Sequence, residues 1–156
     1  MLALYPAASD DDVPTATVRF RTDHDFVCPA RYVAARRNGR TWLYLVSAPG
    51  TPGPAGQALG AFHGVDVRFL FDADLGAPLG EAGLHVREAI RRYWVRFAES
   101  GDPNEPGLPE WPVYLRTNPR HLDLGDPIRA VSGLGRPGCD VFDEEWTAPE
   151  PRSGPD

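Results

Sequence analysis

Gly60-Ala61-Phe62-His63-Gly64-Val65-Asp66-Val67-Arg68-Phe69-Leu70-Phe71 is the stretch on which the reading of this chain turns. A single histidine sits between small residues, with large apolar residues following it. Before it come a strongly apolar strand pattern, Thr41-Trp42-Leu43-Tyr44-Leu45-Val46-Ser47, and a Gly/Pro-rich loop from Ala48 to Leu59. An imidazole carried on a loop that follows a sheet strand is free to reach a nucleophile made elsewhere in a fold. Val65 to Phe71 is apolar enough for a strand or for a short buried helix, and periodicity does not separate the two.

Upstream, the strand 41–47 is apolar on both faces, which suits a strand buried between helices in an α/β fold. A helix is expected from Pro29 to Arg37, because Pro suits a first helical turn and Arg36 and Arg37 suit the last. Asn38-Gly39 can end it in a left-handed conformation. Ser9-Asp10-Asp11-Asp12 reads as a solvated acidic turn whose residues also favour a helix start. Downstream, the clearest helix is Leu84 to Ser100. Val86, Ala89, Ile90, Tyr93, Trp94, Phe97 and Ala98 recur at steps of three and four and make one wide apolar face. Its arginines read as a solvated face partly paired with Glu88. Gly101 stops it. Val113-Tyr114-Leu115 and His121-Leu122-Asp123-Leu124 read as a small hairpin turning through Thr117-Asn118-Pro119-Arg120. Residues 125–138 read as irregular, Cys139 to Trp146 as a short closing helix, and residues 147–156 as a Pro-rich disordered tail.

The chain is long enough, at 156 residues, to bury a sizeable core. Net charge is −6, no basic stripe stands out, and all sixteen cationic residues are Arg. A nucleic-acid partner is therefore disfavoured. Seventeen Pro and sixteen Gly imply much loop. No apolar run approaches the roughly 20 residues that span a membrane. His24, His85 and His121 show no metal-ligand spacing and are expected on surface or helix positions, so no metal and no cofactor are expected.

Beyond these patterns, six motifs stand in a particular order. They are Thr22-Asp23-His24-Asp25-Phe26-Val27-Cys28-Pro29, Trp42-Leu43-Tyr44-Leu45, the His63 stretch, Tyr93 through Asn104 (ending Gly101-Asp102-Pro103-Asn104), Leu108-Pro109-Glu110-Trp111-Pro112-Val113-Tyr114, and Leu122-Asp123-Leu124 with Cys139-Asp140-Val141-Phe142. The series, from about residue 20 to about residue 146, closely resembles the C-terminal part of the type-B carboxylesterases, the family of cholinesterases and para-nitrobenzyl esterases. The resemblance implies the C-terminal part of an α/β-hydrolase fold over residues 1–146, with few sheet strands, a long C-terminal helix and a small hairpin. It implies ester hydrolysis through an acyl-enzyme. A serine in a Gly-x-Ser-x-Gly elbow attacks a small-molecule carboxylic ester, a histidine moves the proton, an acid orients the histidine, and backbone N–H groups hold the oxyanion.

By this resemblance His63 is the catalytic base. No Gly-x-Ser-x-Gly occurs in the 156 residues, and the oxyanion loop and triad acid are missing from them too. Ser132, in Val131-Ser132-Gly133-Leu134-Gly135, is the nearest imitation of the elbow, but it follows the histidine instead of preceding it. Met1 falls directly on sequence that reads as domain interior, and the expectation is a C-terminal portion whose nucleophile lies before residue 1. The resemblance also makes Asp23 a hydrogen-bonding residue beside the base. From the residues alone, an N-terminal cap of the Pro29 helix is the stronger reading of Asp23. Cys28 and Cys139 match positions that are disulfide-linked in animal members of the family; the other reading is two reduced thiols, as in a bacterial cytosol. Three accounts stay open: a carboxylesterase fragment supplying the histidine loop, an inactive remnant or half-subunit needing an N-terminal partner of the same fold, and a binding module without chemistry.

Overall fold

The computed structural model describes residues 2–51, 53, 60–72 and 78–147. The expected tail, apart from Thr147, and most of the Ala48–Leu59 loop lie outside them. The chain divides into two compact units, Met1–Gly39 with Gly133–Asp156, and Arg40–Ser132.

In the first unit the acidic run Asp10–Asp12 is exposed and forms one turn of 3-10 helix at a helix start, in line with both parts of the expectation. The Asp12 carboxylate accepts the Ser9 hydroxyl at 2.9 Å and the Ser9 amide at 3.1 Å. This arrangement frees the chain to start α1, Val13–Thr22, with Pro14 in its first turn. That helix had no clear apolar periodicity to announce it. α1 passes through a wider π-helical turn, Asp23–Val27, into α2, Cys28–Arg36. Pro29 offers no N–H to a carbonyl four residues back, so a turn of different hydrogen bonding precedes it. The helix therefore does not begin at Pro29. Asp23 has helical φ and ψ of −68° and −50° and is no N-terminal cap. The expected closing helix runs as α5, Gly138–Thr147. Cys28, Cys139 and Phe142 form the buried centre, with Phe20, Val27 and Trp146 packed against it. The sulfurs of Cys28 and Cys139 are bonded, 111 residues apart in sequence.

The second unit is α/β. Its sheet has the order β1-β2-β3, with β1 at Tyr44–Val46, β2 at Arg120–Leu124 and β3 at Arg129–Ser132. β1 runs parallel to β2, Tyr44 opposite Leu122; β2 and β3 are antiparallel, Arg120 opposite Ser132. The hairpin is thus 120–124 with 129–132, and residues 125–138 are not wholly irregular. Val113 instead bridges Trp42, and Leu115 bridges Asn118. Leu122, Leu124 and Ile128 carry this hairpin into the core. The strand expected over 41–47 is regular for three residues only, and these are half-buried, not covered on both faces.

The undecided stretch after His63 is helix α3, Val65–Phe71. Val65, Arg68 and Phe69 are its buried positions, a spacing of three and four that only a helix can place on one side. α4, Glu81–Ser100, packs its Val86, Ala89, Ile90 and Tyr93 into the same core as Val65 and Phe69. Its arginines do not pair with Glu88. Arg87 and Arg91 both hold Asp72, at 2.9 and 2.8 Å, and Arg92 holds Glu105. His121 departs from expectation as well: it lies on β2 at 3% exposure.

Candidate active site around His63

His63 is built by the residues on either side of it. Phe62 packs against the core, and Val65, two residues on, is 3% exposed. Between them Gly64 takes φ 82° and ψ 7°, a left-handed conformation that costs a side-chain-bearing residue energy. The Val65 amide donates to the Phe62 carbonyl and the Val67 amide to the Gly64 carbonyl, both at 3.1 Å. These bonds close a tight turn directly onto α3. With Phe62 and Val65 drawn inward, the side chain of His63 is left exposed. An apolar–His–Gly–apolar sequence thus produces a presented imidazole for a simple reason: burial of its neighbours turns it outward.

The far side of the turn is fixed too. Asp66, in the first turn of α3, accepts the Tyr44 hydroxyl from β1 at 2.8 Å. Burial and the neighbouring Asp66 carboxylate push the Tyr44 phenol well above its ordinary pKa, so it stays a neutral donor. The last turn of α3 is held by Asp72, which takes Arg87 and Arg91, and by the Leu70 carbonyl, which accepts Arg91 Nε at 3.0 Å. Both Arg partners lower the Asp72 carboxyl below the usual range, Arg91 foremost.

Of the other residues singled out in the sequence, Asp23 accepts the Tyr5 hydroxyl at 2.9 Å. Burial, aided by Asp23, raises the Tyr5 phenol to about 12. Asp23 belongs to the first unit and His63 to the second. Cys28 and Cys139 are fully buried in the first unit. Sequence patterns gave no signal for Tyr44 and Asp66 as a pair, because 22 residues and an uninformative loop separate them. Among the described residues no three His, Cys, Asp or Glu side chains gather as a metal-binding group, and no helix is long and apolar enough to cross a membrane.

Comparison with known proteins adds to this geometry. Residues 4–142 match the model of the Carboxylesterase family. The chain is 31% identical over 134 residues to the bile salt-activated lipase of Rattus norvegicus, covering 80% of this chain and 22% of that protein. It is 32% identical over 128 residues to the acetylcholinesterase of Gallus gallus, covering 75% of this chain and 16% of that protein. It spans roughly a fifth of the length of the curated relatives it matches. The family implies an α/β-hydrolase fold, with which the three-stranded sheet and its helices agree. The exposed histidine turn, the sheet that carries it and the match over most of the sequence lead to one assignment: the chain belongs to the carboxylesterase family.

Proposed function

We propose that this chain is the C-terminal portion of a serine carboxylesterase and that His63 is its general base. The supporting observation is the turn itself. Phe62 is half-buried against the core and Val65 is buried, the backbone is closed by hydrogen bonds, and His63 is exposed. In this reading a serine supplied from outside these residues attacks the carbonyl of a small-molecule carboxylic ester. His63 accepts the serine proton, then donates it to the leaving alcohol as the tetrahedral intermediate collapses.

A second reading, a half-subunit that needs an N-terminal partner of the same fold, is supported by β1. Among the described residues β1 is hydrogen-bonded along one edge only, leaving the other edge available to a further strand. Both readings share one test. In the esterase containing this segment, or in the complex of the two halves, His63→Ala is expected to lower kcat for p-nitrophenyl acetate by about 10²–10⁴-fold. The 156-residue chain alone is expected to show no turnover above its own His63→Ala control. Retained turnover in the first case, or His63-dependent turnover in the second, sinks the assignment.

A further inference from the structure

The Gly101-Asp102-Pro103-Asn104 turn and the Glu110-Trp111-Pro112 segment stood out in the sequence, yet neither has a part in the chemistry above. From their contacts we infer that they work as a positioning relay for the His63 turn, running Asn104 to Trp111 to Tyr44 to Asp66. This rests on the reading of His63 as the base and adds the residues that fix where its imidazole sits.

The turn needs outside support. Gly60 and Gly64 flank His63 with φ of 58° and 82°, and glycine leaves the backbone more freedom there than any other residue. α3, at seven residues, is too short to be rigid by itself. Its first turn is held to the sheet by the Tyr44–Asp66 hydrogen bond, three residues from His63. Tyr44 is in turn fixed twice. Its backbone is in register with Leu122 on β2, and its ring stands edge-on to Trp111 at 5.6 Å between centroids. Trp111 is 6% exposed and is held on three sides. Its indole N–H donates to the Leu43 carbonyl at 2.9 Å, the Tyr93 ring meets it at 5.4 Å, and Asn104 grips its backbone. The Asn104 grip is two-handed: the Trp111 amide donates to Oδ1 at 2.7 Å, and Nδ2 donates to the Trp111 carbonyl at 3.0 Å. Asp102 fixes the amide the right way round, its Oδ1 accepting Asn104 Nδ2 at 2.9 Å and the Asn104 backbone N–H at 3.0 Å. Every link is a directed hydrogen bond or a ring contact between groups with little freedom. A displacement at Asn104 therefore has a physical route to Asp66.

The test follows the His63 ring signals by NMR in the 156-residue chain, assigned by their loss in His63→Ala. Tyr44→Phe is expected to shift them while circular dichroism stays unchanged. Asn104→Ala is expected to shift them in the same direction. The Tyr44→Phe/Asn104→Ala double variant should go no further than the larger single effect, because the two act in one chain. Asp66→Asn should shift them and Asp66→Glu, which keeps a carboxylate for Tyr44, should bring them back. Val95→Ala, an apolar truncation on the exposed side of α4 and off the relay, should leave them in place. Unmoved signals in Tyr44→Phe, or an equal shift in Val95→Ala, would overturn the relay. Tyr44→Phe removes one oxygen and keeps the ring, so it decides the matter even where Asn104→Ala fails to fold. The two ideas fail separately: loss of turnover in His63→Ala reports on the base, and ring displacement reports on the tether.

Discussion

Gly50 lies so close to Val65 that a Cβ atom added to Gly50 would stand 2.7 Å from Val65 Cγ2, and 2.8 Å from Phe62 Cε1 as well. Both neighbours are the inward anchors of the His63 turn. Gly50 is itself buried, so the added methyl has nowhere else to go. Gly50→Ala is expected to destabilise the chain by about 1–3 kcal/mol, the usual cost of overpacking. The same substitution at Gly39, which has nothing within 4 Å of its would-be Cβ but a φ of 105°, carries backbone strain without any clash at the turn. Urea denaturation of the two variants compares the costs. NMR signals of His63 that move in Gly39→Ala and not in Gly50→Ala would contradict the packing account.

His121 offers a pH-dependent handle. It is 3% exposed on β2, and its Nδ1 has no hydrogen-bond partner. Desolvation lowers its pKa below the ordinary 6.5, with Asp123 opposing. Between the lowered folded value and the unfolded 6.5 the unfolded chain binds more protons, so stability falls as pH drops below about 6.5. His121→Phe removes the titrating group and the unpaired nitrogen together. Its stability relative to the parent chain should grow between pH 7.5 and pH 5 in parallel urea titrations. A constant difference across that range would show that His121 does not titrate differently on folding.

Arg31 tests how the first unit is held. Its guanidinium is 6% exposed and donates to Asp140 at 2.6 Å, to Asp143 at 2.8 Å and to the Leu134 carbonyl at 3.3 Å. Arg31→Ala leaves Asp143 without its cation and Asp140 with only Arg136, at 3.5 Å, though both carboxylates are part-exposed and partly rehydrate. The expected cost is about 2–3 kcal/mol, below the full penalty for breaking a buried pair. Arg31→Met, which keeps the packing of the stem, should cost less. Equal losses would mean that packing of the stem contributes little and that the lost charge carries the effect.

The Cys28–Cys139 bond ties α2 to α5 across 111 residues of sequence. In the chain-entropy picture a loop of that length is worth about 4–5 kcal/mol. Cys28→Ala/Cys139→Ala should lower the thermal midpoint of the first unit, and dithiothreitol should have no further effect on that variant. An unchanged midpoint would show that the arginine–aspartate contacts alone suffice to join the two helices.

The family, the long helix read as Leu84 to Ser100 (its first turn in fact begins at Glu81), the closing helix and the loop position of His63 were legible in the residues alone. Each rests on local pattern: a period of three and four, a Gly stop, or an ordered series of short motifs. The remaining features depend on packing. Whether Val65–Phe71 was strand or helix turned on which side chains found the core. β2 pairs with β3 and not with Val113–Leu115, and that pairing accompanies burial of Leu122, Leu124 and Ile128 in one core. Asp23 gave its carboxylate to Tyr5, not to a helix start, because α1 already ran into α2. Tyr44 meeting Asp66, and Asn104 gripping Trp111, join residues whose separation in sequence carries no periodic signal. A side chain's partner across 22 residues is set by the shape of the packed core, and no local pattern encodes that shape.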